Sequence, residues 1–192
     1  MTKLTVILGS VTPPGRMNTA LNVAVEAARA GGEVEAELIN LADHKVAFAD
    51  GRPLEQYGDD TLSIVDRVCA ADAVILASPV YRGTYTGALK NLLDHLPVDA
   101  LGGKPVGIVA MGATTHHYLG VDWHLRDVLT WFGALAAPTS IYLSSSDFFE
   151  GAPSDDARAE LAGLVDTLVR LSALRTNDAE PLGPTPLAAR YR

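Results

Sequence analysis

Residues 4–10 read LTVILGS, and this stretch decides the fold. Leu4–Leu8 is a short apolar run rich in β-branched side chains, which is typical of a strand buried on both faces of a parallel sheet. A Gly-Ser pair ends the run, and residues 17–30, rich in Ala, Leu and Val, follow as a predicted helix that stops at Gly31. A buried strand that passes through one loop into a helix predicts an α/β protein.

The same alternation continues along the chain. Further strands are predicted at 33–39, 73–77, 106–111 and 139–143, and further helices at 59–70, 86–96, 118–134 and 155–175. Five strands separated by helices predict one doubly wound parallel sheet with helices on both faces. The pattern leaves two strand orders open, the six-strand dinucleotide-binding type and the flavodoxin type 2-1-3-4-5, and both bind ligands at the strands' carboxyl ends.

Composition limits the classes of partner. With 15 Lys+Arg against 23 Asp+Glu, the net charge of −8 argues against binding nucleic acid or an anionic membrane through a basic field. No apolar stretch reaches membrane-spanning length, no signal peptide is recognisable, and the single cysteine excludes an internal disulfide. We therefore expect a cytoplasmic location, with Cys69 as a small hydrophobe on the inward face of its helix.

The chain divides into a predicted domain and a tail. Residues 1–175 contain all the predicted strands and helices and are expected to form one α/β domain. Residues 176–192 carry three prolines and a glycine, and they predict an irregular C-terminal tail.

The first loop, GSVTPPGRMNT at residues 9–19, leads from the buried strand to a helix N-terminus. Free backbone N–H groups and the helix dipole favour an anion there, and the loop adds the polar side chains of Ser10, Arg16, Asn18 and Thr19. A phosphate monoester fits this set. The alternative is an ordinary turn in which Ser10 and Asn18 cap the helix. The loop matches neither a Walker A nor a GxGxxG motif.

The second loop carries a denser pattern, ASPVYRGTYTGALKNLLD at residues 77–94. It resembles the Pro-x-Tyr-x5-Gly-x-Leu-Lys-Asn-x-x-Asp signature of the NAD(P)H-dependent FMN reductase family, and the first loop is similar to that family's phosphate loop. The resemblance covers about residues 3–148 and implies the flavodoxin strand order. It implies flavin contacts from Pro79, Val80, Tyr81, Arg82 and Gly83. Arg82 is either a ligand for a pyridine-nucleotide phosphate or a solvated side chain.

The third loop starts at Met111 and reads MGATTHH. The resemblance implies flavin-ring contacts from Gly112, Ala113, Thr114 and Thr115. The segment GVDWHLR at residues 120–126 resembles the subgroup that supplies reduced FMN to alkanesulfonate-type monooxygenases. Helices of that subgroup carry a one-residue π-type insertion at a subunit contact. Trp123 is either that insertion or a tryptophan packed in a regular helix or interface.

The resemblance implies an NAD(P)H:FMN oxidoreductase with FMN and either NADH or NADPH as cofactors. Hydride would pass from nicotinamide to flavin N5, so we expect no catalytic side chain and no metal site. The resemblance further implies a homodimer or homotetramer and a partner monooxygenase. Two alternatives remain open: a reductase of quinones or azo compounds that retains its FMN, and an electron carrier that does not react with NAD(P)H.

Overall fold

A parallel sheet forms the centre of the molecule in the computed structural model, which describes residues 1–12, 15–174 and 184. Its strands are β1 (Thr2–Leu8), β2 (Val34–Asn40), β3 (Ala73–Pro79), β4 (Pro105–Met111), β5 (Leu135–Ala136) and β6 (Ile141–Leu143). The order is β2-β1-β3-β4, with β5 and β6 both paired to β4, and every pairing in this sheet is parallel. This arrangement confirms the predicted 2-1-3-4-5 order.

Helices cover both faces of the sheet. They are α1 (Arg16–Ala30), α2 (Thr61–Ala70), α3 (Gly87–His95), α4 (Gly120–Phe132) and α5 (Asp155–Ala173). Along β1 the side chains alternate, so that Leu4, Val6 and Leu8 pack with α1 and α5 while Ile7 packs with α2, α3 and α4. Burying each such aliphatic side chain contributes about 1.5–3 kcal/mol, which stabilises the three-layer arrangement.

The fifth strand position is split, which the sequence did not predict. We expected one strand at 139–143, but β5 pairs beside Pro105 and Val106, and β6 pairs beside Val109 to Met111. The N–H of Ala137 still donates to the carbonyl of Val106 at 2.8 Å. Pro138 follows and has no N–H to donate, so the ladder is interrupted there.

Helix α2 corrects the prediction for Cys69. The helix buries Thr61, Ile64, Val65 and Val68, and one further residue turns the side chain of Cys69 to the exposed side. Desolvation raises the pKa of its thiol, which keeps the sulfur protonated and poorly nucleophilic. The cysteine is therefore not a core residue.

Helix α4 settles the alternatives for Trp123 in favour of a regular helix. The helix is α-helical throughout, and the N–H of Trp123 donates to the carbonyl of Leu119, four residues earlier, at 3.0 Å. The indole is 64% exposed. Trp123 is thus a surface tryptophan without a π-type insertion.

Two predictions about organisation stay predictions. Apart from Pro184, the tail at residues 176–192 lies outside the described residues, and the domain boundary at 175 is likewise not tested. None of the helices in the described ranges combines the length and the apolar composition needed to cross a membrane.

Candidate flavin site

The carboxyl ends of β1, β3, β4 and β6 lie side by side, which brings the three predicted loops to one edge of the sheet. Leu8 is opposite Ala77, and Met111 is opposite both Pro79 and Leu143. We call this the carboxyl edge. It is the edge at which open parallel sheets bind ligands.

The first and second loops are joined through Gly9 and Thr86. The hydroxyl of Thr86 donates to the carbonyl of Gly9. The hydroxyl oxygen of Thr86 also accepts the N–H of Leu89 at 3.1 Å, which caps α3. A Cβ added at Gly9 would lie 2.5 Å from the Cβ of Leu89, so only glycine permits this close packing. The start of α3 and the first loop therefore hold each other in place.

The start of α1 is not capped by a side chain. Its N-cap residue is Gly15, and the first amide bonded within the helix is that of Thr19, at 3.2 Å from the carbonyl of Gly15. The buried hydroxyl of Ser10 instead lies 2.8 Å from that of Thr12 and accepts the Thr12 N–H at 3.3 Å. The alternative in which Ser10 and Asn18 cap this helix is therefore wrong. Among the described residues, no side chain caps the amides of the first turn, which leaves them to an anion.

Arg16 lies at this helix start with an exposed side chain. Its guanidinium carbon is 5.7 Å from the centre of the Phe148 ring, which fits a cation–π contact. Phe148 begins a short antiparallel hairpin of β7 (Phe148–Phe149) and β8 (Ala152–Pro153) that follows β6. The hairpin thus contacts the start of α1, although the two segments are far apart in the sequence. Nothing in the sequence distinguished Phe148 as a residue of this region.

The second loop folds into a tight turn that displays Arg82. Tyr81 and Thr84 exchange backbone hydrogen bonds of 2.8 and 3.2 Å, and both intervening residues have positive φ, 54° at Arg82 and 83° at Gly83. This is a type I′ turn. A Cβ added at Gly120 would lie 2.4 Å from the carbonyl oxygen of Gly83, so the turn packs against the start of α4.

Buried polar groups fix the base of this loop. The fully buried hydroxyl of Ser78 accepts the N–H of Thr86 at 3.0 Å and donates to the carbonyl of Pro79 at 2.9 Å. The N–H of Val80 donates to the carbonyl of Met111 at 2.8 Å, which links the second loop to the third. Val80 is half-buried and Tyr81 is 48% exposed, so an aromatic surface remains accessible above a fixed base.

Tyr142 determines the shape of the third loop. Its hydroxyl donates to the carbonyl of Thr114 at 2.5 Å, and burial raises its pKa, which keeps the donor proton in place. A Cβ at Gly112 would lie 1.9 Å from this hydroxyl oxygen, so a larger residue at this position would displace the Tyr142 hydroxyl. The amide of Gly112 donates to Leu143 at 3.0 Å, and Ala113, Thr114 and Thr115 are exposed.

The electrostatic character of the carboxyl edge differs from that of the whole chain. Residues 9–19, 77–86 and 111–119 contain no Asp or Glu, although the chain carries a net charge of −8. The same segments contain Arg16, Arg82 and two histidines, His116 and His117. Among the described residues, no three His, Cys, Asp or Glu side chains are grouped to hold a metal ion. The edge is thus suited to anions.

Every predicted site residue therefore lies at the carboxyl edge, on one of the three loops or in the strand end or helix start that adjoins it. The positions are Ser10, Arg16, Asn18, Thr19, Pro79, Val80, Tyr81, Arg82, Gly83, Gly112, Ala113, Thr114 and Thr115. Residues that shape these loops were missed by sequence reasoning, above all Ser78, Thr86, Tyr142 and Phe148. The strand order defines a flavodoxin-like protein, and the loops at its carboxyl edge have the composition suited to an anion.

A family model described as NADPH-dependent FMN reductase matches residues 2–148, and the chain belongs to this family. It is accordingly an NAD(P)H:FMN oxidoreductase, which confirms the predicted class of enzyme and its cofactors.

Relatives in several bacteria are consistent with this assignment. An NAD(P)H-dependent FAD/FMN reductase of Geobacillus thermodenitrificans is 40% identical over 67% of this chain and 69% of its own length. An NADH-dependent FMN reductase, SfnF, of Pseudomonas putida is 32% identical over 76% and 79% of the two chains. An FMN-dependent NADPH-azoreductase of Staphylococcus aureus is 34% identical over 60% and 63%.

Solved structures agree with the fold. The apo form of an NADH:FMN oxidoreductase (EmoB) superposes with a TM-score of 0.74 and 27% identity, covering 93% of this chain and 92% of the other. An archaeal flavodoxin superposes with a TM-score of 0.64, covering 88% and 99%. At 13% identity the second likeness supports the fold alone.

Proposed function

We propose that the three loops of the carboxyl edge bind FMN, with the phosphate at the start of α1 and the flavin ring between the second and third loops. The observation that carries this proposal is the uncapped start of α1, with Arg16 beside it. First-turn amides and a guanidinium are the donors that a phosphate monoester requires. Their convergence with two glycine-dependent loops supports a flavin nucleotide as the ligand.

The residues of the edge would bind and orient, and none would act as an acid, base or nucleophile. Bound FMN supplies the hydride-accepting chemistry. Pro79, Val80 and Tyr81 offer a surface for a planar ring, and Ala113 to Thr115 offer accessible backbone amides to its polar edge. The hydrogen bonds of Ser78 and Tyr142 hold both loops rigid, so little ordering is required when the ligand binds.

The proposal predicts that FMN binds more tightly than riboflavin. Loss of charge-assisted hydrogen bonds to phosphate should cost about 1.5–3 kcal/mol, or about tenfold to a hundredfold in the dissociation constant. Titration of apoprotein with each flavin, followed by flavin fluorescence, measures this ratio. Arg16→Gln should reduce the ratio, whereas Arg170→Gln, which removes an exposed arginine of α5, should not. Equal affinities of wild-type protein for the two flavins would refute the placement of the phosphate.

We further propose that reduced FMN leaves the protein for a partner monooxygenase. Residues 120–126 resemble the monooxygenase-linked subgroup in sequence but lack its π-type insertion, so the exposure of the third loop is the main support for this fate. The name of the S. aureus relative favours a second candidate, an azoreductase that keeps its FMN. Gel filtration of the FMN-loaded protein separates the two, because a retained prosthetic group co-elutes with protein. The electron-carrier alternative requires that NADPH leave the flavin absorbance unchanged in stopped-flow mixing.

We also propose a homodimer or homotetramer in a reducing cytoplasm. On α4, the exposed side chains Trp123, Asp127 and Trp131 recur at four-residue spacing and form one stripe. A groove of about 410 Å³ lies between α3 and α4 and is lined by Leu93, Val128 and Trp131 among others. Exposed tryptophans beside an apolar groove are typical of an interface core.

A further inference from the structure

Among the described residues, Arg82 differs from the other arginines because its side chain has no partner. Within the described ranges, no hydrogen bond, ion pair or ring contact involves its side chain. Each of the other described arginines has one: Arg16 with Phe148, Arg29 with Ala36, Arg52 with Asp50, Arg67 with Glu37, Arg126 with Asp122, Arg158 with Pro153 and Arg170 with Asp166. No described residue therefore competes with an external group for the guanidinium of Arg82.

The backbone at Arg82 is unfavourable for an arginine. Its φ of 54° lies in the left-handed region, and type I′ turns select Asn, Asp or Gly at this position. Local strain of this kind persists where the surrounding structure enforces it, and it is concentrated at ligand-binding sites. The enforcing contacts are present here, because Tyr81 bonds Thr84 and Gly83 packs against Gly120. The turn thus holds Arg82 outward at a fixed position.

We propose that Arg82 recognises the 2′-phosphate of NADPH and makes the enzyme prefer NADPH to NADH. This inference rests on the proposed function, in which a nicotinamide reaches a flavin beside Tyr81. Arg82 is the next residue along and is exposed at the tip of the turn, where the adenosine end of a bound pyridine nucleotide can extend toward solvent. Arg16 already lies against Phe148 at the first loop, so the edge offers separate cations to two separate phosphates.

The charge within the turn segment itself supports a phosphate monoester. Residues 77–86 contain no carboxylate that would compete for the guanidinium. A 2′-phosphate carries up to two negative charges and three acceptor oxygens, which match the planar fork of an arginine. NADH has a hydroxyl in that place. Relatives are named for either nucleotide, so a residue of this chain must decide its preference.

Steady-state kinetics with saturating FMN test the proposal through a ratio of specificity constants. In Arg82→Asn, which suits the type I′ turn, kcat/KM for NADPH should fall about tenfold to a hundredfold, and that for NADH by at most about threefold. Arg82→Lys should retain most of the preference, since it keeps the charge. The control variant Arg170→Asn removes an exposed arginine far from the edge and should leave the ratio as it is. A parallel loss with both nucleotides, or an unchanged ratio in Arg82→Asn, would overturn the proposal.

A binding measurement tests the same contact without turnover. Calorimetric titration with adenosine 2′,5′-bisphosphate and with 5′-AMP compares ligands that differ only in the 2′-phosphate. Wild-type protein should bind the bisphosphate at least about tenfold more tightly, and Arg82→Asn should bind the two alike. Equal binding by wild-type protein contradicts the inference. Failure of the proposed function would give a different result, because wild-type protein would then neither bind FMN nor oxidise either nucleotide in its presence.

Discussion

Tyr81 illustrates how a single residue of the edge should act. Its backbone closes the type I′ turn, and its half-exposed ring is available for packing. Because we assign it a positional role, Tyr81→Phe should weaken FMN binding or slow hydride transfer by no more than about 0.5–1.5 kcal/mol, one neutral hydrogen bond. Tyr81→Ala should cost more, since the aromatic surface is lost as well. Titration with FMN and stopped-flow reduction by NADPH measure both effects.

The order of severity of the two Tyr81 variants is decisive. A Tyr81→Phe protein that binds FMN normally but transfers hydride about a thousandfold more slowly would require a chemical role for the hydroxyl. The positional assignment would then be wrong.

Phe148 supports Arg16 through the face of its ring, and this contact can be tested separately from folding. Phe148→Leu keeps an apolar side chain but removes the cation–π contact, which contributes about 0.5–1 kcal/mol at an exposed site. The affinity for FMN should therefore fall about two- to fivefold. The affinity for riboflavin should stay nearly constant, because riboflavin lacks the phosphate. The neighbouring Phe149→Leu is a matched control, because Phe149 is 76% exposed and the contact with Arg16 is made by Phe148.

A double-mutant cycle with Arg16→Gln extends the Phe148 test. Once Arg16 is absent, Phe148→Leu should add no further loss of FMN affinity. Additive losses would show that Phe148 acts by another route.

Single residues could be predicted from the sequence where their role depends on neighbouring residues in the chain. The Pro79-Val80-Tyr81 turn was predicted from a short motif, whereas the close approaches at Gly9 and Gly120 appear only in the folded structure. Tyr142 and Thr114 are 28 positions apart, and Thr86 and Gly9 are 77 apart, so their contacts depend on the folded sheet. Cys69 was misassigned because one residue of helical rotation, about 100°, separates it from buried Val68.

At the scale of elements, the C-terminus of α2 depends on a buried lysine from another segment. Lys104 is 5% exposed, and its Nζ donates to the carbonyls of Val68 and Cys69 at 2.8 and 3.0 Å. These carbonyls belong to the last turn of the helix, where a cation also interacts favourably with the helix dipole. A lysine therefore fixes α2 to the segment that leads into β4.

Lys104→Met should destabilise the protein without affecting its ligands. The methionine keeps the apolar stem but leaves two carbonyls of α2 without this donor, at a cost of about 1.5–3 kcal/mol in the free energy of unfolding. Urea unfolding measures this change. Lys90→Met, in the exposed pair with Asp94, is the control and should cost at most about 1 kcal/mol. FMN affinity should persist in both, and a Lys104→Met protein as stable as wild type would show that the contact is dispensable.

Element boundaries were predicted within a few residues because apolar runs and their terminating glycines and prolines are local signals. The split of the fifth strand was not, since its first piece, Leu135–Ala136, is two residues long and has no periodicity to detect. Pro138 indicated that the strand is interrupted there. It did not indicate that the chain pairs with β4 both before and after the proline.

At the scale of the whole molecule, the strand order followed from the family resemblance, whereas residue periodicity alone left two orders open. Periodicity records which faces are buried within one chain, and all five helices show this clearly. From this periodicity we expect large exposed apolar side chains to be scattered singly over the surface. Helix α4 differs, because Trp123 and Trp131 on the same helix are 64% and 50% exposed.

Assembly through α4 is the expected reason for that departure. Trp131 lines the groove between α3 and α4, and a self-complementary contact would place the same groove and the same tryptophan on both sides of a two-fold axis. Tryptophans in interface cores often contribute 2 kcal/mol or more, so Trp131→Glu should weaken association by at least about thirtyfold. Sedimentation velocity over a concentration series should therefore show a dimer or tetramer for wild-type protein and a shift toward monomer for Trp131→Glu. Phe149→Glu, which adds the same charge at an exposed ring of the β7–β8 hairpin, should leave assembly intact, and circular dichroism should show that both variants are folded. A wild-type protein that sediments as a monomer at micromolar concentration would contradict the assembly, and the exposed indoles would then need another partner.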